Sequence, residues 1–344
     1  MRSKVWISRI EEQTKEEVYS KVRKSMEGVG WKKFFKKGED TLLKVNMCWA
    51  DFLLPGMCTS PWVLGGVIET IGDYVGKIYV GEGMAAAFQS FEKGCRINRW
   101  DRVCKEYGVE LIDLAKDELV DVDATDLGVP FPIKISKFAI EVPNLVSLPL
   151  MKTHSVTTFT GAVKNLFGVS FGKRITYHLH LPEVITGINR AVGSNFTVMD
   201  GTVATEGNGP ANGIPKVMNL ILAGNDLVAV DSTACRIMKI EPEGVEYLKL
   251  ASGRGLGSMN PDVTGEVKVS EVSTEFARAN PQRYYTMGML PLLKRKHLKN
   301  IAYNYFWIPG RFVVKLIRNS WYMREGKKNA MKVLGESGYS EQWK

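Results

Sequence analysis

The stretch Leu145–Met151 is apolar almost throughout and stops abruptly at Lys152-Thr153-His154. A short apolar run with polar ends is the pattern of a strand buried on both faces, as in a largely parallel sheet. A turn of small residues follows, and Thr160-Gly161-Ala162-Val163-Lys164-Asn165-Leu166-Phe167-Gly168 then opens a helical pattern. In open α/β sheets, ligands bind outside the carboxyl ends of the strands. Lys152, His154, Lys164 and Asn165 would converge at this junction with backbone N–H groups from the helix start. The alternative is a surface strand end carrying ordinary polar residues.

The rest of the chain repeats the strand–helix alternation. Lys4–Ile7 reads as a short strand, and Thr14 as the N-cap of a helix with Glu16 and Glu17 in its first turn. Thr41–Met47 is a strand; Lys44 and Asn46, two apart, share one face of it. They are either a substrate-facing pair or an edge lysine and a turn asparagine. Thr59-Ser60-Pro61 starts a helix with a hydroxyl cap and a first-turn proline. Lys77–Gly83 is a strand running into a glycine turn, where Glu82 faces either a ligand or solvent; Gly81-Glu82-Gly83 lacks the full dinucleotide fingerprint. A helix over 98–107, a strand over 109–114 and a loop or short hairpin over 117–132 come next.

Downstream, Arg174, His178 and His180 precede a helix over 182–192. With His154, the two later histidines could surround one metal ion; the other reading is an anion-binding or solvated loop built with Lys173 and Arg174. Phe196–Gly201 is a strand ending in Asp200, and the glycine-rich 205–213 a loop; Asp200, Glu206 and Asn208 are ligand contacts there, or else the loop is a tight structural one. Asp226–Met238 is a helix, whose own dipole accounts for Asp231. The expected fold is therefore α/β: a largely parallel sheet with flanking helices over 1–275. It has two lobes if the chain divides near 150, although no linker marks that point.

The net charge of +9 is uneven. Residues 283–344 hold 13 Lys and Arg against three acids, so the body before them is close to neutral. That segment also carries 11 of the 34 aromatic residues, including Tyr303, Tyr305, Phe306, Trp307, Trp321 and Tyr322. Phe312, Val313, Leu316 and Ile317 fall on one helical face. This basic aromatic helical extension would pack on the body or a second copy, dock on an anionic membrane surface, or dock an acidic protein such as a ferredoxin. Nucleic acid is not expected, because no binding motif accompanies the charge. Five cysteines with no C-x-x-C pair predict neither disulfides nor an intrinsic iron–sulfur cluster. Cys48 and Cys58 read as small buried or loop thiols. No signal peptide and no 18-residue apolar span are found, so the expectation is a cytoplasmic protein, peripheral to a membrane if the tail docks there.

Lys152-Thr153-His154, Thr160–Gly168, Asp200-Gly201, Glu206-Gly207-Asn208-Gly209-Pro210 and Asp226–Asp231 together resemble a family catalogued as domain of unknown function 362, often fused to ferredoxin-type modules. The resemblance runs from about Lys44 to Gly257. A further likeness reaches the lactate-racemase group, in which a His and a following Lys stand at comparable spacing. It implies that His154 and Lys164 take those places, with Lys164 as the anchor of a nickel pincer nucleotide.

Two functions follow. In the first, Lys152, Lys44 and Arg174 hold the carboxylate or phosphate of a small substrate and His154 is a general acid/base. Lys164 is then a second anion contact or the cofactor anchor, and Asn165 with the helix-start amides stabilises an oxyanion. Racemisation or epimerisation of a hydroxy acid is the sharpest form of this reading. In the second, the protein is a non-catalytic accessory of iron–sulfur electron transfer that recruits its partner through the tail.

Overall fold

The computed structural model describes residues 3–83, 90–172, 174–280 and 308–344. A ten-stranded sheet runs through the molecule in the order β13-β1-β12-β11-β7-β2-β3-β4. These are β1 (Lys4–Arg9), β2 (Thr41–Lys44), β3 (Ile78–Glu82), β4 (Glu110–Asp113), β7 (Asn144–Ser147), β11 (Phe196–Asn208), β12 (Asn212–Gly224) and β13 (Asp262–Gly265). Branching from β11 are β8 (Leu150–His154) and, paired to it, β9 (Thr158–Thr160). The centre is parallel, with β7 against β2 and β11, and β3 against β2 and β4; β12 is antiparallel to β1 and β11. Residue 150 is the first of β8, and β7 and β8 both pair with β11.

Alternation along the strands divides the apolar residues between two cores. In β2, Leu42 joins the core under the helices Leu181–Val192 and Leu227–Ile237, and Leu43 joins the core under Lys15–Val29 and Pro61–Ile71. Both cores are closed to water, which is why the central strands are apolar on both faces. Helix starts follow the expected chemistry: the Thr14 hydroxyl accepts from the Glu17 amide and the Ser60 hydroxyl from the Val63 amide, with Pro61 in the first turn.

Four features extend or revise the expected elements. The helix expected over 98–107 is found as Trp100–Tyr107, and a further helix, Phe91–Ile97, precedes it, the two parted by Arg99 in the left-handed region (φ 58°). Residues 117–132 belong in part to a small separate sheet of β5 (Leu119–Val122), β6 (Ile133–Ser136) and β10 (Ser170–Phe171). The glycine-rich stretch 205–213 is mostly a hairpin rather than a loop, with Glu206 opposite Ile214 and Asn208 opposite Asn212. Of the readings given for the extension, packing on the body is what residues 308–344 show. Tyr339 and Trp343 are buried in the second core, the Tyr322 ring stacks on Phe52 (centroids 4.1 Å apart), and the Tyr339 hydroxyl meets Asn219 at 2.8 Å. Tyr303, Tyr305, Phe306 and Trp307 lie outside the described residues, as does Lys173.

Candidate functional site

The carboxyl ends of β2, β3 and β7 lie side by side, since Lys44 pairs in register with Gly81 and with Ser147. Lys44 is fully buried and its ammonium meets the Glu82 carboxylate at 2.8 Å and the Val45 carbonyl at 2.7 Å. Glu82 also accepts from the Met47 amide (2.9 Å) and the Gly83 amide (2.8 Å). Neither residue reaches solvent, so the pair is a floor beneath the site rather than a ligand contact. Gly168 seals it: a Cβ there would lie 2.5 Å from Glu82 Oε1 and 2.7 Å from Lys44 Nζ.

Above this floor runs an amide relay. The buried Lys152 ammonium donates to Asn46 Oδ1 (2.5 Å) and to the Met57 carbonyl (3.0 Å). Asn46 Nδ2 donates to Asn165 Oδ1 at 3.0 Å. Asn165 Nδ2 is shared between the Lys44 carbonyl (2.9 Å) and the Ser147 hydroxyl (3.1 Å). Asn165 is thus occupied by protein partners on both sides of its amide.

The helix-start amides expected to receive a ligand are also taken. Ala162 N and Val163 N donate to the two carboxylate oxygens of Asp231 at 2.6 and 3.0 Å. Asp231 therefore caps a neighbouring helix, Ala162–Asn165, instead of relieving the dipole of its own, which Asp226 caps. Its burial pushes the carboxyl up to about 8, against the two amides that pull it down. Gly161 is the residue that permits the approach, since a Cβ there would stand 2.1 Å from Asp231 Oδ1. The two glycines of the motif are thus explained by close contact, one at each end.

What remains at the site is positive or neutral. His154, Lys164, Arg174 and His178 lie deep among protein atoms, near one another, and each keeps part of its surface accessible. His154 Nδ1 accepts from the Val156 amide (3.0 Å) and the Thr157 amide (3.2 Å), which puts the ring proton on Nε2. Burial first, then Lys164, Lys152 and His178, hold the ring well below its usual pKa, so it is neutral at pH 7. His178 Nδ1 donates to the Arg174 carbonyl at 2.9 Å, which leaves Nε2 as its unprotonated nitrogen, and burial lowers its pKa to about 4. Lys164 is pushed down to about 8, chiefly by desolvation and further by Lys152 and Arg174; its ammonium lies 5.8 Å from the Phe167 ring centre. The Arg174 guanidinium covers the same ring at 4.5 Å and donates to the Phe167 carbonyl at 3.2 Å. Desolvation brings Arg174 down to about 10.

One member of the cluster was not foreseen. Arg318, from the C-terminal helix Ile308–Trp321, is only 2% exposed. It donates to Asn212 Oδ1 (3.0 Å) and contacts Met57 Sδ (3.1 Å), its guanidinium lying 5.1 Å from the Trp49 and Trp321 rings. Its Nε has no partner, and burial lowers its pKa to about 10. Cys48, half-buried, lies within electrostatic reach of Lys152, Lys164 and Arg318. Arginine among Leu316, Ile317 and Trp321 was the available signal for Arg318; for Cys48, the sequence held none beyond the proximity of the loop to β2.

The remaining candidates go elsewhere. Buried Asp200 is spent on the Ser60 amide (2.8 Å), the Thr202 amide (3.0 Å) and the Thr202 hydroxyl (2.6 Å). Glu206 pairs with Lys216 (2.9 Å) and accepts from the Ala277 amide, and Asn208 accepts from the Asn280 amide, so both fasten residues 277–280 to the hairpin. His180 packs edge-on against Phe131 (centroids 5.8 Å apart). The histidine triad does not assemble: among the described residues no three His, Cys, Asp or Glu side chains are grouped to hold a metal ion. A separate cleft of about 720 Å³, lined by Tyr79, Phe91, Glu92, Leu111 and Phe138 among others, shares no residue with the cluster.

The family model described as a domain of unknown function (DUF362) matches residues 41–236, more than half of the chain and all of the cluster except Arg318. The chain belongs to this family. The DUF362 chain is 26% identical over 243 residues to the thylakoid-associated protein sll1697 of Synechocystis sp., covering 68% of this chain and 74% of that protein. The lactate racemase apoprotein from Thermoanaerobacterium thermosaccharolyticum aligns with a TM-score of 0.42 at 13% identity, over 67% of this chain and 58% of that one. The family likeness expected from the motif residues is thus found.

Proposed function

We propose that the cluster binds a small carboxylate- or phosphate-bearing molecule. The observation that carries this reading is the charge count. Lys164 and Arg174 share the Phe167 ring and act on one another and on Lys152, while Arg318 and Lys152 meet at Met57; none of the four has a carboxylate within ion-pair distance among the described residues, and Glu82 is committed to Lys44. Burying cations without counter-charges is costly, and an anionic ligand supplies the missing charge. Burial lowers the pKa of Lys164, Arg174 and Arg318, and an anion beside them would raise it again.

The same groups suit proton transfer, so the reading extends to an enzyme. Lys164, near 8, has an appreciable neutral fraction at physiological pH and is the base or nucleophile. His154, fixed as the Nε2–H tautomer, is a neutral donor to a developing oxyanion rather than a proton shuttle. Racemase- or epimerase-type chemistry on a hydroxy acid is the sharpest form of this reading. The partly exposed residues fit the cofactor implied by the racemase resemblance: the Lys164 amine would tether it and Arg174 would hold its phosphate. When bound, such a group would place a metal Lewis acid beside the substrate.

Two measurements test the proposal. Calorimetric titration with inorganic phosphate and with small hydroxy acids should give binding that Lys164→Met and Arg174→Met each weaken at least about tenfold. No detectable anion binding by the purified full chain would refute it. Intact mass with metal analysis of natively purified protein tests the tethered cofactor separately, an adduct that Lys164→Ala abolishes being the supporting result.

A further inference from the structure

We infer that the helix Ile308–Trp321 docks, by its outward face, on an anionic lipid bilayer. Phe312, Val313, Val314, Leu316 and Ile317 are 44–58% exposed. At 100° per residue they occupy one continuous arc, and the buried Arg318 and the half-buried Lys315, which meets Asp51 at 3.5 Å, lie on the other side. The helix is thus inverted: its polar anchors face the protein and its aliphatic arc faces outward. A surface helix in contact with water alone carries the opposite pattern.

The neighbouring chemistry selects the occupant. The helical run continues through a π-turn, Tyr322–Gly326, into Lys327–Glu336, where Met323 and Met331 are more than half exposed. Exposed Arg324, Lys327, Lys328 and Lys332 accompany them. Over residues 308–344 eight basic residues stand against three acids. Aliphatic side chains without hydrogen-bonding groups, beside uncompensated lysines, fit acyl chains beneath acidic headgroups. A second copy of this chain would set the same positive charge against itself, and an acidic protein would satisfy the lysines but not the aliphatic arc. No helix among the described residues is long and apolar enough to cross a membrane, so the helix would lie on the surface. Its inner side carries Arg318 to Met57, whose carbonyl also accepts from Lys152. The inference does not depend on what the cluster binds.

Vesicle flotation with the full chain tests it, using phosphatidylcholine vesicles with and without about 30 mol% phosphatidylglycerol. The wild type is expected to float with the anionic vesicles and, much less, with the neutral ones. Phe312→Glu/Ile317→Glu, which alters only outward side chains, should weaken flotation at least about tenfold. Lys327→Glu/Lys328→Glu should weaken it by about fivefold or more per charge, an effect lost at high salt. Near-ultraviolet circular dichroism of each variant confirms that the fold is kept. A wild type that stays out of anionic vesicles overturns the inference. So does a folded Phe312→Glu/Ile317→Glu variant that floats as well as wild type, and so does a wild-type dimer, seen by light scattering, that the same variant splits while vesicles remain unbound.

Discussion

Replacing Lys164 with methionine should make the ligand-free protein more stable and the anion complex weaker. The lysine's fall from 10.5 to about 8 has desolvation as its first cause, then repulsion from Lys152 and Arg174. Each pKa step of one is about 1.4 kcal/mol, so the charged form at pH 7 is disfavoured by up to about 3 kcal/mol. Part of the side chain still meets solvent, which reduces the expected gain to about 1–2 kcal/mol. The sign follows from linkage: between about 8 and 10.5 the unfolded chain binds the lysine's proton and the folded chain does not. Wild-type stability therefore rises with pH across that window through this residue, and the contribution is absent in Lys164→Met. The anion responds in the opposite direction, because loss of a charge-assisted contact costs about 1.5–3 kcal/mol, roughly 10- to 150-fold in affinity. Urea denaturation at pH 7 and low salt, with and without phosphate, reads both effects. A variant destabilised by more than about 1 kcal/mol with unchanged phosphate affinity would refute the reasoning, since Lys164 would then be a structural cation.

Glu82→Gln strips the buried Lys44 of its counter-charge and should cost about 3–5 kcal/mol in chemical denaturation, with much of it recovered in Glu82→Gln/Lys44→Met. Asp231→Asn turns a donor toward one of the two amides of Ala162 and Val163 and should cost about 2 kcal/mol, measured by thermal unfolding. Arg318→Met should lower phosphate affinity about tenfold while leaving the melting temperature within a few degrees of wild type, because an unsatisfied buried nitrogen is removed with the charge. Phosphate affinity of the wild type should fall as pH rises through about 8, where Lys164 loses its proton, and stay flat in Lys164→Met.

The sheet was legible because burial on both faces leaves a local mark. The apolar stretch before Lys152, the caps at Thr14 and Ser60, and the strand–helix alternation each state their structure within a few residues. The proximity of Lys44, Glu82 and Lys152 was legible for the same reason, because parallel strands end on one side. What each polar group does there was not, because that depends on which partner arrives from a distant segment. Asp231 looked like a cap of its own helix and caps another, 68 residues away from Val163 in sequence. Asn165 and the helix-start amides looked available and are consumed, and Asp200, Glu206 and Asn208 secure chain crossings that no local pattern encodes.

Sequence by itself determined the α/β class, the family motif and the concentration of positive charge at one end of the chain. Those properties are sums or short-range periodicities, and they survive without knowledge of tertiary neighbours. Only the tertiary structure decided that Lys44 is neutralised by Glu82, while Lys152, Lys164 and Arg174 are not neutralised in this way. It also decided that an arginine more than 140 residues downstream of Arg174 joins them. Compensation of a charge depends on distance in space and on local dielectric, and neither is written in the order of residues.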